Sequence, residues 1–307
     1  MKVLGLSFGR NMSNCEIMTK EVLMKCKEQG HEIQFINVNK LDIKSCTGCI
    51  ACVISMIAHK KNAGKCVMKD DFHIIDEAIM EADAIILASP TFEYAASGLY
   101  RTICDRIGPS HDLTFRTAAI NEGCDTDKRS LKKRVCGLIS VGGAMTENWT
   151  VLTLPTMYAI PMSMGIDVID MINYYGAMAT YNVVGNKPMM ERVDKMAAAI
   201  CDALANIDND ALRSKWRGDS EGACPVCHLN LVNISADQTY VECPVCGIRG
   251  EISFENGKLS IHYSDAEKAR SRLTFAGKLE HSTEIKTQAV GPDSLPNVKE
   301  LLEPYRW

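Results

Sequence analysis

KVLGLSFGRNMSNC, residues 2–15, is the stretch of sequence that decides the fold. Its first six residues are mostly apolar and predict a buried strand, and the polar run 9–14 ends that strand. Met18, Val22 and Cys26 then recur every four residues, which predicts a helix after the loop. A strand, a polar loop and a helix in this order form the opening unit of an α/β sheet.

The loop after this first strand is a candidate phosphate site. Amides at the start of a helix have no acceptor within the helix, and the helix dipole favours an anion there. The Ser, Asn and Arg side chains of the loop add hydrogen-bond donors. A simple turn is an equally good interpretation of this loop taken alone. The candidate phosphate-binding residues are Ser7, Arg10, Ser13, Asn14 and Cys15.

Short apolar strands alternate with helices over the rest of residues 1–206. This alternation predicts a parallel sheet with helices on both faces. The fold class is therefore α/β, a flavodoxin-like, doubly wound, five-stranded parallel sheet that binds ligands beyond the carboxyl ends of its strands. We predict further strands at 31–38, 84–88, 135–141 and 166–172, helices at 70–82, 97–107, 147–164 and 189–206, and an irregular segment at 109–133.

The third strand ends in a loop of unusual composition, SPTFEYAASGLY at residues 89–100. A planar isoalloxazine ring needs aromatic or apolar faces and backbone donors for its heteroatoms, and this loop can supply both. The candidate ring-binding residues are Pro90, Thr91, Phe92, Glu93 and Tyr94.

Together, the phosphate loop, residues 89–100 and Gly142-Gly143 after the fourth strand resemble the NADPH-dependent FMN reductase family over residues 1–205. The resemblance implies an FMN cofactor, flavin-centred chemistry without an indispensable protein acid or base, and Gly142 and Gly143 as the third flavin-contacting segment. It also implies a homodimer or homotetramer. Gly9 stands where the family has Pro, and Cys15 stands where it has Thr, so a thiol replaces a hydroxyl donor. A flavodoxin-like domain without FMN is the alternative.

A cysteine-rich loop occupies residues 44–69. Cys46, Cys49 and Cys52 are spaced CxxCxxC, and Cys66 follows after thirteen residues. Three thiolates at this spacing can surround one face of a [4Fe-4S] cluster, and a fourth from a later turn completes the site. The motif resembles the iron–sulfur flavoprotein branch of the same family, although the last gap is usually shorter there. Another metal, or structural or reactive thiols, are the alternatives.

A second cysteine group lies near the carboxyl end of the chain. Cys224 and Cys227 form one CPVC pair, and Cys243 and Cys246 form another fifteen residues later. Such pairs place four sulfurs around a metal in a unit too small to fold on its own core. Structural zinc is favoured, and a rubredoxin-like iron site is the alternative. We divide this half of the chain into a linker at 207–222, the ribbon at 223–263, and a partly helical tail at 264–307.

Composition and charge narrow the class of protein. The net charge of −4 disfavours binding to nucleic acid, and no apolar stretch is long enough to cross a membrane. No secretory signal is visible, and eight of the fourteen cysteines fall in closely spaced groups, which metal ligation explains better than disulfides. The sequence therefore predicts a cytoplasmic protein.

These observations favour an FMN-dependent oxidoreductase. We expect it to pass electrons between NAD(P)H or reduced ferredoxin, an iron–sulfur cluster and an acceptor reduced at the flavin. The irregular segment 109–133 is the candidate lid for a substrate or partner. A redox-sensing or metal-sensing regulator, or a ribbon that docks a partner protein, are the alternatives.

Overall fold

Five parallel strands form the centre of the protein, whose computed structural model describes residues 1–178, 182–288 and 296–306. Their order across the sheet is β2-β1-β3-β5-β6, the flavodoxin-like order, which confirms the predicted fold class. The elements of this part are, in chain order, β1 (Lys2–Ser7), α1 (Asn14–Glu28), β2 (Glu32–Asn37), α2 (Ala51–Ile57), α3 (Phe72–Glu81), β3 (Ala84–Phe92), β4 (Ala95–Ala96), α4 (Gly98–His111), α5 (Leu113–Asn121), β5 (Val135–Val141), α6 (Thr153–Met157), α7 (Ala159–Met164), β6 (Asp167–Tyr174), α8 (Asn182–Gly185) and α9 (Lys187–Ala205).

Helices cover both faces of this sheet, so the central strands are apolar on both sides. Residues 84–88 of β3 and all of β5 are buried, which explains why these strands read as continuous apolar runs. On one face, α1 and α9 contribute Met18, Val22 and Met196 to a single apolar cluster. On the other face, α3, α4, α6 and α7 form a second cluster, which continues into the ribbon.

The strand register brings the functional loops to one edge of the sheet. Ser7 at the end of β1 lies beside Ala88 of β3, and Pro90 lies beside Val141 at the end of β5. Since all three strands run in the same direction, the loops that follow them leave from the same edge. The short strand β4 turns back and pairs antiparallel with the end of β3 at Thr91 and Phe92.

The second half of the chain contains a small antiparallel sheet. Its strands are arranged in the order β10-β9-β8-β7. None of the helices in the described part of the chain has the length and apolar character of a membrane span. The elements are α10 (Asp210–Arg213), β7 (Asn233–Ile234), β8 (Val241–Glu242), β9 (Arg249–Glu255), β10 (Lys258–His262), α11 (Asp265–Ala269), α12 (Phe275–Gln288) and α13 (Val298–Leu302).

One prediction about local structure was wrong in part, and another was wrong. The first half of the segment 109–133 is helical, because α4 continues to His111 and Asp112 caps α5 by accepting hydrogen bonds from the amides of Thr114 and Phe115. Residues 122–133 are irregular apart from one 3₁₀ turn at Lys128–Leu131. The predicted helix at 147–164 is instead a 3₁₀ turn followed by α6 and α7, which meet at Tyr158. Pro155 and Pro161 have no amide hydrogen to donate, so one continuous helix through both positions is disfavoured.

Substitutions at two separate glycines, Gly5 and Gly185, test how closely α1 packs on the sheet. A Cβ atom at Gly5 would lie 2.5 Å from Thr19 Cγ2, whereas a Cβ atom at Gly185 would contact nothing within 4 Å. We expect Gly5→Ala to lower the free energy of unfolding by about 1–3 kcal/mol through overpacking. Gly185→Ala, the matched control, should be at least as stable as the wild type, because alanine reduces the entropy of the unfolded chain. Urea denaturation measures both, and equal stabilities would contradict this packing.

Candidate functional site

A cavity of about 530 Å³ opens at the edge of the sheet where β1, β3 and β5 end. It lies where the fold class predicts a ligand, beyond the carboxyl ends of the strands. Eight of the twelve candidate cofactor-binding residues line it, namely Arg10, Ser13, Asn14, Cys15, Pro90, Thr91, Phe92 and Gly143. The structure therefore brings residues from three separate loops around one space.

The start of α1 forms the polar end of this cavity. Ser13 caps the helix, and its hydroxyl accepts a hydrogen bond from the Glu16 amide at 3.4 Å. The buried Ser7 hydroxyl accepts one from the Gly9 amide, also at 3.4 Å. A Cβ atom at Gly9 would collide with Ser13 Oγ, so a small residue allows the loop to close tightly over the helix start. The amides of this first turn, with Arg10 at the cavity wall, fit a bound phosphate group.

Two of the predicted phosphate residues have other contacts. Burial raises the pKa of the Cys15 thiol to about 12, so it stays protonated and offers only a weak donor. The Asn14 side chain donates to Asn182 Oδ1 at 2.8 Å and accepts from the Val183 amide at 3.3 Å. This side chain therefore holds the segment around residue 182 against the start of α1.

The sequence analysis missed several cavity residues. Asn39 lies just after β2, and its side-chain Nδ2 donates to the Phe8 carbonyl at 2.7 Å, which holds the phosphate loop. Its position at the same sheet edge was the signal that could have identified it. Ala177 and Met178 also line the cavity, but they follow β6 without any motif.

Hydrogen bonds to neighbouring elements hold the loop after β3. Thr91 Oγ1 lies 2.7 Å from Thr153 Oγ1 of α6, and the Ser97 amide donates to Ser89 Oγ at 3.1 Å. A glycine is required at position 142, directly after β5, because a Cβ atom there would collide with the Thr150 methyl group. Its amide donates to the Tyr174 carbonyl at 2.8 Å, which joins the ends of β5 and β6.

A smaller cavity of about 240 Å³ adjoins the first one and shares Thr91 and Gly143 with it. Glu93, Tyr94 and Gly142, three of the remaining candidates, line this second space. The rings of Tyr94 and Trp149 stack at 5.5 Å with an angle of 15° between their planes, and we call this pair the aromatic wall. Both side chains are about half exposed, at 50% and 51%.

The backbone beneath the aromatic wall is strained. Glu93 has φ of 46° and Tyr94 has φ of 71°, in the left-handed region that favours glycine. Such conformations cost of the order of 1–3 kcal/mol each and are concentrated at functional sites. The strained turn places the Tyr94 side chain at the wall of the second cavity.

The two cavities together fit FMN and a flat second ligand. One end offers amide donors to a phosphate, and the other end offers a glycine-lined space beside apolar residues for a planar ring. The second cavity lies next to the ring end, so a flat molecule there would contact the aromatic wall.

The four thiols of the 44–69 loop differ in their exposure to solvent. Cys46 and Cys49 are exposed, Cys52 lies in α2, and Cys66 is partly buried. One group of at least three metal-ligating side chains has all its ligand atoms within 4.8 Å of one another in residues 1–178, 182–288 and 296–306. That group is in the ribbon and consists of Cys224, Cys227, Cys243 and Cys246. So tight a group is the arrangement of a single-metal site, whereas the cysteine sulfurs around a [4Fe-4S] cluster bind different irons and lie farther apart. The iron–sulfur cluster therefore stays a prediction, and we derive no electron-transfer step through these thiols.

A buried ion pair anchors both ends of this loop. Arg106 donates to Asp70 through two nitrogens, at 2.6 and 3.0 Å, and both side chains are almost fully buried. Arg106 also donates to the Lys44 carbonyl at 2.9 Å, while the Lys44 amide donates to Asp70. The hydrogen bonds from Arg106 hold the pKa of Asp70 down at about 2. The loop therefore begins and ends at a fixed point.

The four ribbon cysteines lie together in a group that could hold a metal ion. Cys224, Cys227, Cys243 and Cys246 are buried, and their sulfur atoms all lie within 4.8 Å of one another. The Cys246 amide donates to Cys243 Sγ at 3.4 Å, as expected for a thiolate that ligates a metal. Four sulfurs without an open position fit structural zinc and also fit iron.

The Asp70–Arg106 pair predicts a pH-dependent stability. A folded-state pKa of about 2 lies below the ordinary value of 3.8, so the pair stabilises the fold above about pH 4 and loses this effect as the pH falls towards 2. We expect Asp70→Asn to lower the free energy of unfolding by about 2 kcal/mol at pH 7, with the deficit shrinking below pH 4. Asp105→Asn, which breaks an exposed pair with Arg101, is the control and should cost little. A deficit for Asp70→Asn that does not change with pH would contradict this assignment.

Acid-labile sulfide tests the predicted cluster. If Cys46, Cys49, Cys52 and Cys66 enclose a [4Fe-4S] cluster, protein purified without oxygen contains about four iron and four sulfide per chain. Cys49→Ser should remove both, whereas Cys201→Ser, whose thiol lies 3.6 Å from Cys26, should leave both unchanged. Protein prepared without oxygen that contains FMN but no sulfide would refute the cluster.

Comparisons with known proteins agree with this geometry. The family model described as NADPH-dependent FMN reductase matches residues 1–166. A solved structure described as flavone reductase is 28% identical, with a TM-score of 0.80 over 100% of this chain and 97% of that chain. Flavone synthase cfoJ from Aspergillus candidus is 26% identical over 93% of this chain and 88% of that protein. An iron–sulfur flavoprotein from Methanosarcina thermophila is 24% identical over 68% of this chain and 98% of that protein.

Proposed function

The chain belongs to the NADPH-dependent FMN reductase family and is a flavin oxidoreductase, and we propose that its substrate is a flat aromatic ketone of the flavone class. The observation that carries this proposal is the aromatic wall beside the cofactor cavity. Two relatives that align over most of this chain are named for flavone chemistry, one as a reductase and one as a synthase. The substrate class therefore comes from both the site and these names.

The proposed reaction concerns the carbon–carbon double bond that is conjugated to the ketone of a flavone. Reduction adds a hydride to one carbon and a proton to the other, and the reverse reaction restores the double bond. FMN, when bound, supplies or accepts the hydride. Reductase and synthase are then the two directions of one reaction, and the supply of electrons decides which one runs.

The protein's own residues bind and orient the reactants. The start of α1 and Arg10 hold the phosphate of the cofactor, and the loops that contain Thr91 and Gly142 confine its ring. Tyr94 and Trp149 would offer an aromatic surface on which a flat substrate stacks, since aromatic surfaces favour an offset parallel arrangement. The wall is half exposed, so the balancing proton is exchanged with water.

We expect NAD(P)H to be the electron donor. A nicotinamide ring is also flat, so the same wall serves donor and substrate in turn, which gives ping-pong kinetics. Reduced ferredoxin is the second candidate donor. Its route would use the predicted cluster at Cys46, Cys49, Cys52 and Cys66.

The ribbon and the quaternary structure complete the proposal. Zinc is proposed for the ribbon because the four cysteines are fully enclosed and leave no open position for a ligand. We propose at least a homodimer, because Phe92 and Met178 are exposed apolar residues that line the cofactor cavity and that a second copy would cover. All fourteen cysteines are free, which supports a reducing compartment such as the cytoplasm.

Turnover without oxygen tests the function. With FMN and NADPH alone, the purified protein should oxidise only as much NADPH as reduces the flavin. With a flavone added, it should continue to oxidise NADPH and should form the product reduced at the double bond. The same assay with reduced ferredoxin identifies the donor. If the bound flavin is reduced but no flavone is consumed with either donor, the substrate class is wrong and the sensor alternative gains weight.

Variants of the aromatic wall separate substrate binding from cofactor binding. We expect Tyr94→Ala and Trp149→Ala to raise the KM for the flavone about tenfold, which corresponds to the loss of one aromatic stacking contact of about 1.4 kcal/mol. The dissociation constant for FMN should change little. Phe254→Ala, an exposed aromatic of the ribbon hairpin, is the matched control. A large loss of FMN affinity with an unchanged KM would assign the wall to the cofactor instead.

A further inference from the structure

A buried hydrogen bond from the cofactor domain to a ribbon cysteine joins the two units. The Tyr158 hydroxyl donates to the Cys227 carbonyl at 2.6 Å, and Tyr158 is almost completely buried. Tyr158 lies between α6 and α7, so this bond holds the end of α6 against the metal-binding group. The same apolar cluster contains Tyr158 and all four ribbon cysteines.

The other side of α6 contacts the loop that surrounds the flavin ring. Thr153 Oγ1 lies 2.7 Å from Thr91 Oγ1, and the Ala96 amide donates to Thr156 Oγ1 at 3.1 Å. These two contacts lie at either end of the loop between β3 and α4. The helix therefore holds the ring loop at two points along one side.

A third contact reaches the phosphate loop. The Tyr100 hydroxyl donates to the Met157 carbonyl at 2.6 Å. The Tyr100 ring packs edge-to-face on Phe8, with ring centroids 4.8 Å apart, and Phe8 lines the cofactor cavity. The last turn of α6 thus contacts the ribbon on one side and the residues behind both cofactor loops on the other.

We propose that the metal-loaded ribbon is a positioning element of the flavin site, acting through Tyr158 and α6. Cys227 is a metal ligand in this arrangement, so the metal fixes the position of its carbonyl oxygen. Four-cysteine units of this size lose their structure without metal. Metal loss therefore removes the acceptor of a buried phenol and frees the end of α6 that braces Thr91, Ala96 and Tyr100.

This coupling gives the ribbon a function in binding rather than in electron transfer. The four sulfurs are buried and the contact path runs through side chains and one helix, so a zinc ion without redox activity is sufficient. Linkage also requires reciprocity, because FMN must raise the metal affinity of the ribbon by the factor by which metal raises FMN affinity.

A matched pair of tyrosine variants in the full-length chain tests the path. Tyr158→Phe keeps the ring but removes the hydrogen bond to Cys227. Tyr263→Phe removes a buried hydroxyl of the same apolar cluster for which the described part of the chain provides no hydrogen-bond partner. We expect Tyr158→Phe to weaken FMN binding about fivefold or more and to change the visible circular dichroism of the bound flavin. Tyr263→Phe should alter neither.

Metal removal tests the same coupling without a mutation. A chelator that extracts the ribbon metal should release FMN, seen as a rise in flavin fluorescence, and restoring zinc alone should reverse it. Added FMN should slow the extraction in the wild type and have a smaller effect in Tyr158→Phe. Neither measurement uses a substrate, so the result is independent of the proposed flavone activity.

Two outcomes would overturn the proposal. One is metal-free wild-type protein that binds FMN as tightly as the loaded protein. The other is a Tyr158→Phe variant whose FMN affinity and flavin spectrum match those of Tyr263→Phe. In either case the ribbon is energetically separate from the flavin site, despite the buried contact.

Discussion

The parallel pairing of β1, β3 and β5 is the constraint on which the site depends. Its register places Ser7 beside Ala88 and Pro90 beside Val141, so three strands end at one edge. A slip of one residue would move every side chain of a strand to the opposite face of the sheet, so the apolar packing specifies the register. The loops that follow the strands are then close together, whatever their separation in the chain. A shift of any of these strands would separate the phosphate end of the cavity from its ring end.

Hydrogen bonds from Thr and Tyr hydroxyl groups connect this edge of the sheet to the rest of the molecule. Thr91 and Thr153 are in contact although they are 62 residues apart, and Tyr158 reaches Cys227 across 69 residues. Buried hydroxyl groups need partners, so each such contact restricts the relative positions of two elements. Two contacts belong to α6, through Thr153 and Thr156, and a third belongs to Tyr158, which follows α6. This segment is therefore the connection between the cofactor domain and the ribbon.

The two cysteine groups show how far spacing alone can predict a metal site. In the ribbon, two CPVC pairs occur on similar turns, and hydrogen bonds from backbone amides hold the sulfurs inward. Residues 46–52 have an equally suggestive spacing, but they lie on an exposed loop whose fixed points are the main chain of Lys44 and the side chain of Asp70. Spacing determines which thiols can meet, and the surrounding contacts determine whether they do.

Apolar periodicity and strand-ending loops were sufficient to predict the five-stranded parallel sheet and the edge at which the cavity opens, and the CPVC spacing was sufficient to predict which four thiols meet, because a short sequence pattern indicates each of them. The lengths of α4 and α5, the break at Tyr158 and the cavity residues Asn39 and Met178 depended on contacts between distant segments. The stacking of Tyr94 on Trp149 and the hydrogen bond from Tyr158 to Cys227 also depended on contacts between distant segments. The sequence by itself determined what each segment becomes, and only the tertiary structure decided which side chains meet, because long-range contacts arise from packing and leave no local pattern.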